Sequence, residues 1–283
     1  MPSTAPQNWA SADPAALPVL NGAIPLAEPP RRVFVAQIMG LPMSVHIRGP
    51  KAGGAEVAQA VEIAFDALRA DDATFSTWKP DSPVSRIRRG ELSLWGAGDR
   101  VLEVATLCLR AAERTDGSFS AWRPGPDGRL SFDPSGLVKG WAVQQVFDGL
   151  VERLARLGRY DLLFSAGGDI IVGCARTDTP DWTIGIEDPR DRSQIRLSVP
   201  LRRGAVATSG TAARGPHIID PVTGVPARDL LSATVIGPSL LWADVYATAA
   251  FVRGRQAATW ATTLSDHAVV LIDRNGSVET VSN

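Results

Sequence analysis

Residues 32–47 alternate apolar with polar positions and are rich in β-branched side chains. That pattern predicts two strands, joined or bent at the break Met39-Gly40-Leu41-Pro42. Val57, Val61, Ala64, Phe65 and Leu68 then fall on one face of a helix. Val101, Ala105, Cys108 and Ala112 repeat that spacing, with Asp99 as a candidate N-cap and Gly117 as a candidate terminator. Val143, Val146, Phe147, Leu150, Leu154 and Leu157 mark a third helix, stopped by Gly158. The second half turns to short apolar runs bounded by Gly, Pro or Asp, at 160–165, 170–173, 182–186, 195–199, 205–209 and 232–236. A small-residue helix follows at 241–252, then a buried strand at 268–273 that Asn275-Gly276 turns into a last strand. Helices mixed with antiparallel-looking strands indicate an α+β fold rather than a doubly wound sheet.

Size and charge narrow the picture. A chain of 283 residues, 45 % apolar, can bury a sizeable core as one large domain or two intimate lobes. The expected organisation is a loose tail over residues 1–30 and a single domain over 31–283. A net charge of −1 removes the simplest electrostatic case for nucleic acid or an anionic membrane surface. No run of about 18 apolar residues occurs, so no membrane span is expected. Before Arg31 there is no Lys or Arg, and Asp13, Asn21 and several prolines interrupt the apolar stretches. No secretory signal or lipid-attachment cysteine is visible there, and a soluble cytoplasmic protein is expected. Cys108 and Cys174 form no disulfide framework or metal spacing, and both are expected to be structural. His46 and His267 are expected to be structural as well.

Four segments carry more glycine and polar chemistry than packing requires. Asp133-Pro134-Ser135-Gly136-Leu137-Val138-Lys139-Gly140 reads as a carboxylate, a turn and a lysine leading into a helix. Backbone N–H groups at a helix start beside a cation suit a phosphate, although a plain capped helix has the same composition. Ser165-Ala166-Gly167-Gly168-Asp169 lets the backbone pass close to a ligand, or simply turns. His217-Ile218-Ile219-Asp220-Pro221-Val222-Thr223-Gly224 offers His217, the side chain best suited to proton transfer near neutral pH. Asp244 and Thr248 stand one helical turn apart and provide hard oxygens of the kind Mg²⁺ accepts beside phosphates; an ordinary i,i+4 hydrogen bond would use the same pair.

Taken in this order, the four segments resemble the ApbE-like FAD:protein FMN transferases. That family's pattern contains Asp-x-x-Gly/Ala-x-x-Lys-Gly, Gly-Gly-Asp, His-Ile-x-Asp-Pro-x-Thr-Gly and Ala-Asp-x-x-x-Thr stretches. The segment Phe75-Ser76-Thr77-Trp78 through Ser85-Arg86-Ile87 is similar to a further family stretch. The resemblance implies an antiparallel-rich mixed fold, two intimate lobes around a flavin cleft, with FAD as substrate and Mg²⁺ as cofactor. It implies metal contacts from the Gly136 carbonyl, Asp244 and Thr248. It implies flavin-nucleotide contacts from Met39, Trp78 (where the family usually has Tyr), Phe119, Ser120, Ala121, Asp133, Lys139 and Ile218. His217 is the candidate proton acceptor and Asp244 the second catalytic candidate. The partner implied is a flavin-acceptor protein with a Ser/Thr target motif. Two other readings use the same residues: an FAD pyrophosphatase that gives FMN and AMP, and a protein that binds FAD without turnover.

Overall fold

A computed structural model describes residues 31–124, 128, 130–212 and 215–282. The expected N-terminal tail to about Pro30 lies outside the described residues. The elements run β1 (Arg31–Ile38), β2 (Leu41–Arg48), α1 (Ala55–Phe75), α2 (Pro83–Arg88), α3 (Asp99–Arg114), β3 (Trp122–Pro124) and β4 (Leu130–Phe132). They continue with α4 (Ser135–Ala155), β5 (Asp161–Ala166), β6 (Asp169–Cys174), β7 (Trp182–Asp188), β8 (Asp191–Leu201) and β9 (Arg203–Gly210). The chain ends with β10 (Leu230–Gly237), α5 (Leu240–Arg253), α6 (Ala257–Ala261), β11 (Ala268–Asp273) and β12 (Val278–Ser282).

Eight strands form one sheet in the order β1-β2-β5-β6-β9-β10-β11-β12, and every neighbouring pair is antiparallel. The α+β class expected from the pattern is the class found. Both faces of the central strands are covered, which explains why they read as continuous apolar runs rather than alternating ones. Leu162, Phe164, Ile171, Ala205, Ala207, Val235, Val269 and Leu271 face the helical layer. Their immediate neighbours Leu163, Val172, Val206, Ile236, Ala268 and Val270 face a second core, roofed by the β7–β8 hairpin through Trp182, Ile184, Ile186 and Val199. The period-2 pleat thus splits one apolar run between two cores. The Arg48 guanidinium stacks over Trp182, 3.5 Å from the ring centroid, and ties the start of that roof to β2.

Two helix starts differ from the sequence reading, for local reasons. The helix expected from Val143 onward begins at Ser135 instead, so the stretch holding Gly136 and Lys139 is its first two turns rather than a turn before it. Gly136 and Gly140 depress the apparent helix propensity of that stretch. Asp99 opens α3, but its N-cap is Gly98 at φ 91°. The expected stop at Gly117 holds: its N–H reaches the Ala112 carbonyl at 2.8 Å, with φ 77°. The turn Met39-Gly40 also holds, both residues taking positive φ (54° and 70°) as a two-residue hairpin requires.

Among the described residues, no helix is long and apolar enough to cross a membrane. Burial pushes the Cys108 thiol up to about 12 and the Cys174 thiol up to about 11, consistent with structural roles. Both thiols are therefore expected to resist iodoacetamide at pH 8 in the folded protein and to label once it is denatured; rapid native labelling would contradict the shielding of buried Cys108 and partly buried Cys174. Trp182→Ala should cost about 3–5 kcal/mol of stability by emptying the second core. An unchanged urea midpoint would mean that the β7–β8 roof is not part of the cooperative unit.

Candidate active site

The α4–α5 crossing sets the geometry. Helix α5 buries Ala243, Ala247, Ala249 and Ala250 completely, and these small side chains let it lie close to α4 and the sheet. At Gly140 the approach is tightest: a Cβ there would stand 3.1 Å from Asp244 Cβ, Asp244 Oδ2 and the Leu240 carbonyl. Glycine is needed at this position for packing, since its backbone is ordinary helix. The crossing brings Lys139 against Asp244, with Nζ 3.0 Å from Oδ2.

Lys139 Nζ also contacts Oδ2 of Asp169, the first residue of β6 after the Gly167-Gly168 turn. Those two glycines take φ 61° and 104°, which explains why the turn is built of glycine. Asp169 Oδ1 accepts the Thr208 backbone N–H at 3.1 Å and fixes the carboxylate to β9. Both carboxylates are buried, and neither Oδ2 has a hydrogen bond of good geometry. Their contact with Lys139 is an ion pair made by close approach. One ammonium serves two buried carboxylates, so the site is one positive charge short of balance. Burying unbalanced charge is costly, and a bound cation removes the deficit.

Around this trio opens a cavity of about 370 Å³, within the range of small-molecule sites. Phe119, Ser120, Asp133, Gly136, Lys139, His217, Ile218, Asp244 and Thr248 all line it, so nine of the residues singled out from sequence meet in one place. The N-terminus of α4 faces it, with Asp133 accepting the Ser135 N–H at 3.1 Å. The Phe119 ring edge lies against Gly136, where a Cβ would come within 3.2 Å of Cε2. Thr248 Oγ1 shares a 3.0 Å hydrogen bond with Ser209 Oγ, also on the cavity wall.

The His217 segment folds as a tight turn. Asp220 accepts from Val222 N at 2.9 Å and from Thr223 Oγ1 at 2.8 Å, while Gly224 closes the turn onto the Asp220 carbonyl at 2.8 Å. Asp220 is thus occupied in shaping the turn. His217 is exposed at the rim, with Nδ1 2.9 Å from the Gly215 carbonyl. A carbonyl can only accept, so Nδ1 carries the proton and Nε2 keeps its lone pair free in the neutral ring.

Three of the expected contact residues do not line the cavity. Trp78 projects into solvent at 93 % exposure, on the loop between α1 and α2. Ala121 is fully buried and takes part through its backbone, its carbonyl accepting the Asp133 N–H at 2.7 Å. Met39 packs on the helical core at the β1–β2 turn, and the neighbouring Leu41 reaches the cavity wall instead. Asp169 and Ser209 are the additions that sequence reading did not assign to the site. Asp169 stood within the Gly-Gly-Asp segment, but only the tertiary contact reveals its partner. His46 and His267 lie outside the cavity, and burial holds the His267 imidazolium form down.

Do these donors fit a divalent cation? Among the described residues there is no cluster of three or more His, Cys, Asp or Glu placed to hold a metal. A cation here would therefore draw on no more than two such side chains, completed by neutral oxygens such as the Thr248 hydroxyl and a backbone carbonyl. That is the sparse protein shell Mg²⁺ accepts when substrate phosphates and water complete it. The buried Asp244 Oδ2, paired with the Lys139 ammonium and without a further hydrogen-bond partner among the described residues, meets the requirement.

Residues 123–271, more than half of the chain, match the model of the ApbE family. The chain belongs to the ApbE family. A relative named FAD:protein FMN transferase from Salmonella typhimurium is 27 % identical, over 88 % of this chain and 86 % of that one. One of the same name from Escherichia coli strain K12 is 26 % identical, over 74 % and 75 %. The fold matches that of the ApbE protein of Thermotoga maritima, with a TM-score of 0.74 and 19 % identity over 88 % of this chain and 96 % of the other. It also matches the flavin transferase ApbE of Vibrio cholerae, with a TM-score of 0.71 and 23 % identity over 89 % and 97 %.

Gly140→Ala tests the crossing. The gain in helix propensity, about 1 kcal/mol, offsets much of an overpacking cost of about 1–3 kcal/mol. Thermal stability should therefore move little while Asp244 is displaced. A crystal structure of the variant with Asp244 unmoved would contradict this account.

Proposed function

We propose that this protein transfers the FMN half of FAD onto a Ser or Thr hydroxyl of an acceptor protein, releases AMP, and requires Mg²⁺. The single observation that carries this reading is the cavity shared by the α4 start, Lys139, His217, Asp244 and Thr248. The relatives named FAD:protein FMN transferase support the same chemistry.

Each group then has a physical task. The helix start and Lys139 offer positive potential to the FAD diphosphate. Asp244 and Thr248 side chains, with the Gly136 carbonyl, would hold Mg²⁺, which neutralises charge on the diphosphate when bound. Phe119, Ser120 and Ile218 line the wall for the rest of the nucleotide, and Met39, Trp78 and the Ala121 backbone stand further out. His217 Nε2 takes the proton from the acceptor hydroxyl as its oxygen bonds to the FMN phosphorus. The bond from that phosphorus to the AMP oxygen breaks, and AMP leaves with the electron pair. The rim position of His217 leaves the reacting side open to a protein segment.

Incubation with FAD, Mg²⁺ and a Ser/Thr-containing acceptor peptide should yield AMP and an acceptor heavier by one FMN in mass spectrometry. Free FMN with an unmodified acceptor would replace this reading with an FAD pyrophosphatase, and no AMP over hours would replace it with storage. Asp244→Ala should lower the transfer rate by about 10²–10³. His217→Gln should lower it by about 10²–10⁴, with FAD affinity little changed. Full transfer by Asp244→Ala would remove the cation assignment.

A further inference from the structure

We propose that Asp169 is a positioning residue. It holds the Lys139 ammonium inside the site, so that Asp244 Oδ2 can pass from the ammonium to an incoming cation. The inference rests on the reading of Asp244 as a cation ligand.

Lys139 Nζ touches Oδ2 of both carboxylates, which come from different elements: Asp169 from the start of β6 and Asp244 from the second turn of α5. The two acids are not equivalent. Asp169 is pinned by the Thr208 N–H and is 3 % exposed. Asp244 stands one turn before Thr248, on the hydroxyl-bearing wall. The lysine therefore serves as the counter-ion of Asp244 while the site is empty. When a cation takes Asp244, the ammonium keeps a full-charge partner with which it is already in contact, the Asp169 carboxylate. Without Asp169 the ammonium would have only Asp244, and cation and lysine would compete for one carboxylate.

The prediction is a difference of sign. Mn²⁺ is the probe, and its affinity is measured on the full chain without FAD by electron paramagnetic resonance. Asp169→Asn keeps an acceptor for the Thr208 N–H but loses the charge. It should weaken Mn²⁺ binding about tenfold or more, the usual effect of losing a partner that orients a ligand. Lys139→Met removes the competitor and should tighten Mn²⁺ binding. The double variant should lie close to Lys139→Met. Loss of a merely structural prop would weaken binding in both single variants, so shifts in the same direction overturn the proposal, as does no shift in Asp169→Asn.

A crystal structure of metal-free Asp169→Asn provides a readout independent of any cation and of whether Lys139→Met folds. Nζ should have moved onto Asp244 alone, and Nζ unmoved would overturn the proposal. Asp244→Ala separates the two layers. If that variant retains the wild-type Mn²⁺ site, the cation assignment falls, and the position of Nζ in Asp169→Asn still decides the role of Asp169.

Discussion

Everything at this site depends on one partly buried ammonium shared by two buried carboxylates. Lys139 belongs to α4, Asp244 to α5 and Asp169 to β6, so the trio exists only where two helices and a strand end converge. Buried charges are tolerated when paired and are costly when separated. The interaction therefore constrains the crossing of the helices, and Gly140 is the backbone feature that makes that closeness possible. The run of alanines along α5 serves the same end, since each larger side chain would push the helix away from α4 and the sheet.

The charge balance of the trio also gives the cavity its chemical character. Two carboxylates against one ammonium favour a cation, while the N-terminus of α4 favours an anion beside it. Under the proposed function, the same combination would serve a metal-bound diphosphate. His217 stands apart from this balance at the rim, held by a carbonyl that leaves its outer nitrogen free. These positions are compatible with the proposed transfer: charge is concentrated inside, and His217 sits at the rim, where a protein chain could reach.

The sheet explains why such a site can be built here. With both faces of its central strands covered, the sheet is a rigid slab between two cores. The β7–β8 hairpin closes one side, and Ile184, Gly185, Ile186 and Glu187 from β7 form part of the cavity wall. Lys139, Asp169, Asp244 and Thr248 then sit on helices and a strand start, while Phe119, Ser120, Asp133, His217 and Ile218 come from the connecting segments beside them.

Much of this was legible in the chain. Helical spacing around Val101 and Cys108, the apolar strand runs of the second half and the Met39-Gly40 and Asn275-Gly276 turns follow from local sterics and periodicity, which act between near neighbours. The four polar segments could be picked out because glycine, histidine and carboxylates in such density exceed what packing needs. Their meeting in one cavity could not be read that way, because it depends on contacts between residues tens of positions apart. The true start of α4 was hidden by two glycines whose purpose lies in other elements, Phe119 for Gly136 and Asp244 for Gly140. The exposure of Trp78 and the withdrawal of Ala121 from the cavity were likewise set by how distant elements pack. Local pattern determined which pieces form and which residues are chemically equipped; only the tertiary structure decided that Asp169, not another acid, shares Lys139 with Asp244, since pairing of buried charge is a property of space and not of order along the chain.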